Sequence, residues 1–208
     1  MMVRCLGRMK FSDALALQEE IVARKIADPE SDDELLLLEH EPVYTIGRTP
    51  DQSSLGNTTQ LPHPVVQIGR GGQATYHGPG QLVGYPILDL RPDRCDVHKY
   101  VRDLEQVLID AVGELGVPAG RVRGLTGVWI GPSGTEKKIA AIGVRISRWI
   151  TSHGFALNVS RTLDHFSLIV PCGIADHVVT SIEHELNRGV SMAEVEEIVA
   201  QKFSAVFS

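Results

Sequence analysis

The sequence predicts an α+β fold in which a mixed or antiparallel β-sheet is flanked by helices. Three segments repeat apolar residues at helical spacing, and seven shorter strand-like segments lie between them without a regular alternation of strand and helix. Two pairs of the strand-like segments are separated by only a few residues, which is hairpin spacing. A chain of 208 residues without a repeat or linker suits a single domain over residues 1–208.

The first predicted helix covers residues 11–27, with Ser12 as its expected N-cap and Asp28-Pro29 as its end. The second helix follows Asp96. Its apolar residues return every three or four positions until Gly116, which is expected to end it. Both helices are therefore bounded by residues whose chemistry favours a helix end.

The third helix has the clearest beginning. Ser191 and Glu194 have the spacing of a capping box, and Val190 and Val195 stand where a hydrophobic staple would form. The four-leucine run Leu35–Leu38 predicts a buried strand. The strand-like segments comprise Glu34–Glu39, Val43–Gly47, Val65–Gly69, Gln81–Leu88, Gly127–Ile130, Lys138–Ile146 and Ile150–Val159.

Composition argues against several classes of protein. No apolar run approaches the roughly 18 to 20 residues that cross a bilayer, so no membrane association is expected. Twenty basic and 26 acidic residues give a net charge of −6, which disfavours nucleic-acid binding through phosphate neutralisation. Cys5, Cys95 and Cys172 form no C-x-x-C pair, so neither disulfides nor a metal site are expected, and a reducing cytoplasm is the expected compartment.

The segment Gly69–Gln81 is the densest feature of the sequence. Five of its first twelve residues are glycines, which favour positive φ angles and a close approach of the backbone to a ligand. The alternative is an elaborate turn between two strands. A phosphate-binding loop does not fit, because the G-x-x-x-x-G-K-[ST] order is absent and a strand follows.

Cys172 lies in the turn Pro171-Cys172-Gly173, directly after the apolar Leu168–Val170. A lone cysteine is usually a small buried hydrophobe. The stiff proline and flexible glycine instead favour a side chain held at the apex of a loop. Cys5 and Cys95 have no such flanking residues and are expected to be buried hydrophobes.

Lys138 opens an otherwise apolar strand and is expected to point to the same side as Ala140 and Ile142. A lysine at the solvent-exposed end of a strand is normally solvated, and the neighbouring Lys137 fits that description. Lys138, next to small apolar residues, is the better candidate for a partly buried amine.

Together these segments resemble the octanoyl-[acyl carrier protein]:protein octanoyltransferases of lipoate biosynthesis. The resemblance runs from about residue 4 to residue 182 and implies the fold shared by biotin and lipoate protein ligases. It is carried by Leu6-Gly7, Leu15–Arg24, Leu38–Arg48, Arg70–Gln81, Lys138–Arg145 and Val170–Gly173.

The resemblance implies transfer of an octanoyl group from acyl carrier protein to a lysine of lipoyl domains, in the 2-oxoacid dehydrogenase complexes and the glycine cleavage H protein. It implies no cofactor and no metal. Cys172 is the expected nucleophile, and Lys138 is the expected acid and base. The residues expected around the acyl chain are Arg70, Gly71, Gly72, Gln73, Ala74, Thr75, Tyr76, His77, Ala141, Ile142, Gly143, Gly154, Phe155 and Ala156.

Three alternatives remain at this point. An ATP-dependent ligase of the same fold would have no need of Cys172. A cysteine hydrolase would use His77 or His177 as its base, and a non-catalytic binding module would give Lys138 no role. For the transferase, the expected oxyanion donors are the amides of Gly71-Gly72 or near Gly173, helped by His77.

Overall fold

The computed structural model describes residues 1–48, 53–162, 164–169 and 178–207. Within them, the strands are β1 Met2–Met9, β2 Glu34–His40, β3 Val43–Ile46, β4 Val65–Gln67, β5 Thr75–His77, β6 Gln81–Ile87, β7 Val128–Ile130, β8 Lys137–Ser147 and β9 Ile150–Asn158. The α-helices are α1 Phe11–Ala27, α2 Val97–Glu114, α3 Ile182–Leu186 and α4 Met192–Phe207, and short 3₁₀ helices cover Ser53–Leu55, Thr58–Gln60 and Asp164–Leu168.

The strands form a large sheet in the order β1-β2-β6-β9-β8-β7 and a small sheet in the order β4-β3-β5. Each sheet contains one parallel pair, β1 with β2 and β3 with β4, so the predicted mixed sheet is confirmed. Both predicted hairpins are antiparallel pairs. The β8–β9 turn holds Arg148 and Trp149 at φ angles of 55° and 63°, as in the tight turns that match strand twist.

Helices cover both faces of the large sheet. Leu35 and Leu37 point into the core under α2 and α4, while Leu36 and Leu38 point into the core under α1. All four leucines are fully buried, which confirms the predicted buried strand and explains its continuous apolar run. Within the described residues, no helix is long and apolar enough to cross a membrane.

The helix ends agree with the sequence prediction in part. Asp96 caps α2 by accepting a bond from a backbone amide, and Gly116 follows the helix at a φ of 92°. The N-cap of α1 is Lys10, so Ser12 is not the cap. The hydroxyl of Ser12 instead donates to the carboxylate of Asp13, inside the first turn.

The sequence prediction missed β1, β5 and α3. β1 is an edge strand with mostly exposed or half-buried residues, which blurs its apolar alternation. β5 is only three residues long and lies inside the glycine-rich segment. α3 is a five-residue helix, capped by the Ser181 hydroxyl, and is too short for a periodic pattern.

Candidate active site

A cleft opens between the large sheet and the small sheet, beside the beginning of α1. It encloses about 470 Å³ of empty space, including the solvent at its open mouth. We call it the main cleft. It is lined by Phe11, Ile68, Arg70, Gly72, Thr75, His77, Val83, Tyr85, Ala141, Ile142, Gly143, His153, Gly154, Phe155 and Ala156.

Ten of the predicted substrate-contacting residues line the main cleft, and four do not. The ten are Arg70, Gly72, Thr75, His77, Ala141, Ile142, Gly143, Gly154, Phe155 and Ala156. Ala74 and Tyr76 pack into a separate apolar cluster, because side chains alternate along and beside β5. Gly71 and Gln73 also lie outside the cleft lining. The sequence analysis missed five residues that three different elements and one loop bring together: Phe11, Ile68, Val83, Tyr85 and His153.

The glycine-rich loop is held closely against β8. The amide of Gly71 donates to the carbonyl oxygen of Val144 at 3.1 Å, so this amide is not available to an oxyanion, contrary to the sequence expectation. A Cβ atom on Gly143 would lie 2.9 Å from Cδ of Arg70 and 3.1 Å from the Gly71 oxygen. A side chain at position 143 would therefore press on Arg70 and on the Gly71 carbonyl, so glycine at this position favours the close approach of the loop to the sheet.

His77 belongs to a buried chain of hydrogen bonds. The side-chain amide of Gln81 donates to Asn158 Oδ1 at 2.9 Å and to the Tyr76 carbonyl at 3.2 Å. The Gln81 oxygen therefore accepts the Nδ1 proton of His77, at 2.7 Å, and Nε2 is left to accept from the Thr45 hydroxyl, at 3.4 Å. His77 thus has no proton for an oxyanion and no free nitrogen to act as a base, which contradicts both roles considered from the sequence.

Three histidines around the main cleft are uncharged at neutral pH. Burial is the first cause in each case, and it lowers the pKa of His77 to about 3 and the pKa values of His40 and His153 to about 4. Neighbouring arginines, first among them Arg70, lower the pKa of His153 further. The three histidine side chains therefore carry no charge, which is compatible with a neutral, apolar ligand in the cleft.

A β-bulge determines where Lys138 points. Val128 opposes Ala140 while Trp129 opposes Lys138, so Ile139 is an extra residue in β8. Ile139 and Ala140 both enter the core under α2 and α4. Lys138 consequently points to the other face, which corrects the expectation that it lies with Ala140 and Ile142.

On that face, Lys138 enters a small cavity that we call the lysine pocket. It is lined by Thr75, Gln81, Lys138, Ala141, Ala156, Asn158, Phe166 and Val179. Thr75, Ala141 and Ala156 also line the main cleft. The two cavities therefore adjoin one another, and these three residues form part of the wall between them.

The amine of Lys138 is buried without a carboxylate partner among the described residues. Its Nζ atom lies 4.5 Å from the centroid of the Trp129 ring, in cation–π geometry. The whole residue is 6% exposed, which confirms a buried amine at this position. Lys137 is not simply solvated as expected, because its amine is half-buried and pairs with Glu185.

The chain on both sides of Cys172 reaches the lysine pocket, although residues 170–177, and with them Pro171, Cys172, Gly173 and His177, lie outside the described residues. Val179 pairs with Lys138, whose amide donates to the Val178 carbonyl and whose carbonyl accepts from Thr180, both at 2.9 Å. Upstream, Ile169 packs in one apolar cluster with Phe166 and Val179. The described downstream end of this segment therefore lies beside Lys138, and its upstream end belongs to the same apolar cluster as Val179.

The other two cysteines are exposed rather than buried, which corrects the sequence expectation. Cys5 lies on β1, where partial desolvation and then the nearby Glu196 carboxylate raise the pKa of its thiol. Cys95 precedes α2, and its thiol donates to the Leu90 carbonyl at 3.5 Å. Neither cysteine lines the main cleft or the lysine pocket.

Three arginines, Arg48, Arg145 and Arg148, are exposed. Arg48 and Arg145 lie beside the loop that lines the main cleft, and Arg148 lies in the β8–β9 turn. The guanidinium groups of Arg48 and Arg145 converge on Gly69, lying 3.2 and 3.0 Å from where a Cβ atom of that residue would be. Among the described residues, no carboxylate pairs with any of the three arginines. We call them the arginine cluster.

Sequence comparisons relate the chain to one family of proteins. Residues 10–204 match the family described as the lipoyl protein ligase A/B catalytic domain. The chain is 49% identical over 208 residues to an octanoyltransferase of Myxococcus xanthus and spans 58% of that protein's length. It is also 49% identical over 202 residues to an octanoyltransferase of Geobacter sulfurreducens, of which it covers 82%. Each match includes 97% of the present chain.

The fold also has solved relatives. A chain of the bipartite lipoate protein ligase from Thermoplasma acidophilum superposes with a TM-score of 0.76 at 19% sequence identity. The match covers 99% of the present chain and 82% of that chain. This likeness confirms the predicted ligase-like α+β fold.

Proposed function

We propose that this chain, which belongs to the lipoyl protein ligase A/B family and within it to the octanoyltransferases, carries the octanoyl group as a thioester on Cys172 and uses Lys138 as acid and base. The fold does not separate transferase from ligase, because the superposed relative is a ligase. The 49% identity with two octanoyltransferases separates them in favour of transfer.

The main observation behind the proposed mechanism is that the main cleft and the lysine pocket adjoin one another. An acyl chain lying in the main cleft would place its carbonyl group at Thr75, Ala141 and Ala156, where the cleft meets the lysine pocket. Burial of seven alkyl carbons, at about 0.8 kcal/mol each, contributes about 6 kcal/mol to binding. The neutral histidines of the cleft impose no charge on that chain.

The chain flanking Cys172 supports its role as the nucleophile. Val178 is six residues away, so even an extended chain lets Cys172 lie at most about 20 Å from it. Ile169, only three residues upstream, belongs to a cluster that also contains Phe166 and Val179 of the lysine pocket. Both constraints allow the Cys172 thiol to reach the Lys138 amine.

The reaction then follows as two transfers. The Cys172 thiolate attacks the donor thioester, and Lys138 gives a proton to the departing pantetheine thiolate. The neutral Lys138 amine next takes a proton from the lipoyl lysine as that amine attacks the Cys172 thioester. An amide forms, the Cys172 thiolate leaves, and Lys138 is again an ammonium, so the cycle closes without another reactant.

The oxyanion of each step needs a donor, and we propose Thr75. Its Oγ1 atom is buried and has no hydrogen-bond partner among the described residues. The residue lines the main cleft and the lysine pocket, at the position proposed for the acyl carbonyl. Donation to that oxygen would satisfy the hydroxyl and stabilise the developing charge.

Thr75→Val, which keeps the shape but removes the hydroxyl, should slow both acylation and deacylation by about 10²- to 10³-fold. Thr75→Ser should recover most of the loss. Single-turnover rates measure the effect, and the infrared stretching band of a ¹³C-labelled acyl carbonyl should move to higher frequency in Thr75→Val. Equal rates and an unmoved band would exclude this donor.

The enzyme acts on two protein partners, an acyl carrier protein and lipoyl domains. We propose the 2-oxoacid dehydrogenase complexes and the glycine cleavage H protein as the acceptors. Both partner types are typically acidic, whereas this chain carries a net charge of −6, so docking needs a local positive surface. The arginine cluster provides one beside the main cleft.

We propose the cytoplasm as the compartment, since exposed free thiols such as Cys5 and Cys95 persist under reducing conditions.

Replacement of Arg48 and Arg145 together by alanine should slow acyl-enzyme formation about tenfold at low ionic strength. The deficit should shrink as salt rises, because charges are screened beyond about 8 Å at physiological ionic strength. Arg123→Ala, which removes an exposed charge away from the main cleft, is the matched control and should change little. Rates that are independent of salt in the unmodified protein would argue against electrostatic docking.

Intact mass spectrometry tests the proposed function directly. Incubation with octanoyl-acyl carrier protein should add one octanoyl group to the enzyme, and peptide mapping should place it on Cys172. The adduct should form without ATP and disappear when a lipoyl domain is added. An adduct that requires ATP and free octanoate would instead indicate a ligase.

A further inference from the structure

A second cleft lies beyond the main cleft, between α1 and the β8–β9 hairpin. It is lined by Leu15, Gln18, Glu19, Val22, Ala23, Ile26, Arg145, Ser147, Arg148, Ile150, Ser152 and His153. His153 also lines the main cleft. His153 therefore forms part of the wall between the two cavities.

The backbone of His153 explains this position of its ring. Phe155 and Leu157, which have the same parity along β9, point into the core under α2 and α4. The His153 ring instead faces Tyr85 on the cleft side, at 6.4 Å between ring centroids. Its φ of 56° lies in the left-handed region, which redirects the side chain, and its amide donates to Gln18 Oε1 at 2.8 Å.

The distance from the lysine pocket to His153 matches the length of the acyl chain. The paired residues Ala141 and Ala156 mark the junction of the two cavities, and His153 pairs with Val144, three residues further along β8. Three residues of a strand span about 10 Å. An extended octanoyl chain of seven carbon–carbon bonds, each advancing about 1.25 Å along the chain, measures about 9 Å.

We infer that His153 is the end wall of the acyl site and restricts the enzyme to chains of about eight carbons. This inference rests on the proposed function, because it assumes that the acyl carbonyl lies at the lysine pocket. A longer chain would meet the imidazole ring. Without the ring, its end would enter the second cleft, whose α1 side offers Leu15, Val22 and Ile26 as apolar contacts.

The surroundings of His153 are compatible with an apolar chain end. The residue is 4% exposed, and its burial, followed by Arg70, Arg145 and Arg48, lowers its pKa to about 4. The ring is therefore neutral at pH 7. It presents a flat, uncharged surface to the terminal methyl group.

His153→Gly is the most direct test, because glycine removes the ring and adopts a positive φ without strain. The measured quantity is the ratio of kcat/KM for dodecanoyl to that for octanoyl donors on acyl carrier protein. This ratio should rise by about tenfold or more, in keeping with the discrimination that a pocket wall can exert against extra methylene groups. His153→Asn, which also tolerates the left-handed region, should produce a smaller rise and provides a second variant if the glycine variant is unstable.

His98→Asn serves as the control, since it replaces a histidine at an exposed position of α2 outside both clefts, and it should leave the ratio within about twofold of the unmodified enzyme. An unchanged ratio in folded His153→Gly and His153→Asn, with normal octanoyl-enzyme formation in the unmodified protein, would overturn this inference alone. An unmodified protein that gains no octanoyl group would overturn the proposed function and this inference with it.

Discussion

Cys172→Ser should abolish octanoyl transfer, lowering the rate by about 10³-fold or more, as the loss of a nucleophile does in other covalent enzymes. Serine is nearly isosteric with cysteine, but its hydroxyl is a far weaker nucleophile near neutral pH. The measurement is single-turnover transfer to a lipoyl domain, together with the intact mass of the enzyme after exposure to the donor. Both the transferred amide and the enzyme adduct should be lost.

Cys5→Ser and Cys95→Ser are the matched controls, because each makes the same chemical change at an exposed position outside both cavities. They should retain most of the activity, and they should still be acylated. A Cys172→Ser enzyme that turns over at nearly the original rate would eliminate the covalent mechanism. Loss of activity in Cys5→Ser would point to a second reactive thiol, which the raised pKa of Cys5 opposes.

Much of the fold could be predicted from the sequence because its long elements have clear periods. α1 has the predicted bounds, and β2, β6, β8 and β9 lie within a residue or two of the prediction. The elements that the sequence prediction missed are either short or at the edge of a sheet. Pairing supplies the stability of β5, since its three residues form a ladder with β3 that no local pattern reveals.

The sequence predicted many of the residues that form the candidate site, but not the role of each residue. The glycine-rich segment and Lys138 stand out because glycine and lysine have no reason to occur there in an ordinary core. The role of each member depends on pairing across the fold. His77 is committed to Gln81 and Thr45, whereas Thr75, two residues earlier, keeps its hydroxyl free of partners among the described residues.

The β-bulge at Ile139 is a second feature of the site that the sequence pattern does not reveal. Simple alternation assigns Lys138 to the face of Ala140 and Ile142, and one extra residue reverses that assignment. The site on which the mechanism depends is therefore created by an irregularity in the ladder. Periodicity alone could identify neither the buried lysine nor the cavity it enters.

Lys138→Ala should slow octanoyl transfer by about 10²- to 10⁴-fold, the range for losing a general acid and base. Two functions are lost together. Without the ammonium, we expect the pKa of the Cys172 thiol to rise, because a nearby positive charge favours the thiolate. Alkylation of Cys172 by iodoacetamide should consequently slow near neutral pH and recover as the pH is raised.

Transfer to the lipoyl lysine should recover less than alkylation does, because hydroxide can generate the thiolate but cannot replace a positioned base at the attacking amine. Lys138→Arg should retain part of the thiolate reactivity while failing in transfer, since guanidinium does not lose a proton in proteins. Alkylation rate and transfer rate against pH, measured on the same enzyme preparations, separate the two functions.

Packing must be separated from chemistry, because the Lys138 side chain also covers Trp129 and its truncation leaves a cavity there. Lys138→Met fills most of that space without a charge or an exchangeable proton. It should match Lys138→Ala in alkylation and transfer while unfolding at a higher temperature. If the Cys172 pKa in both variants equals that of the unmodified enzyme, Lys138 only supports the Trp129 ring, and another group must activate the thiol.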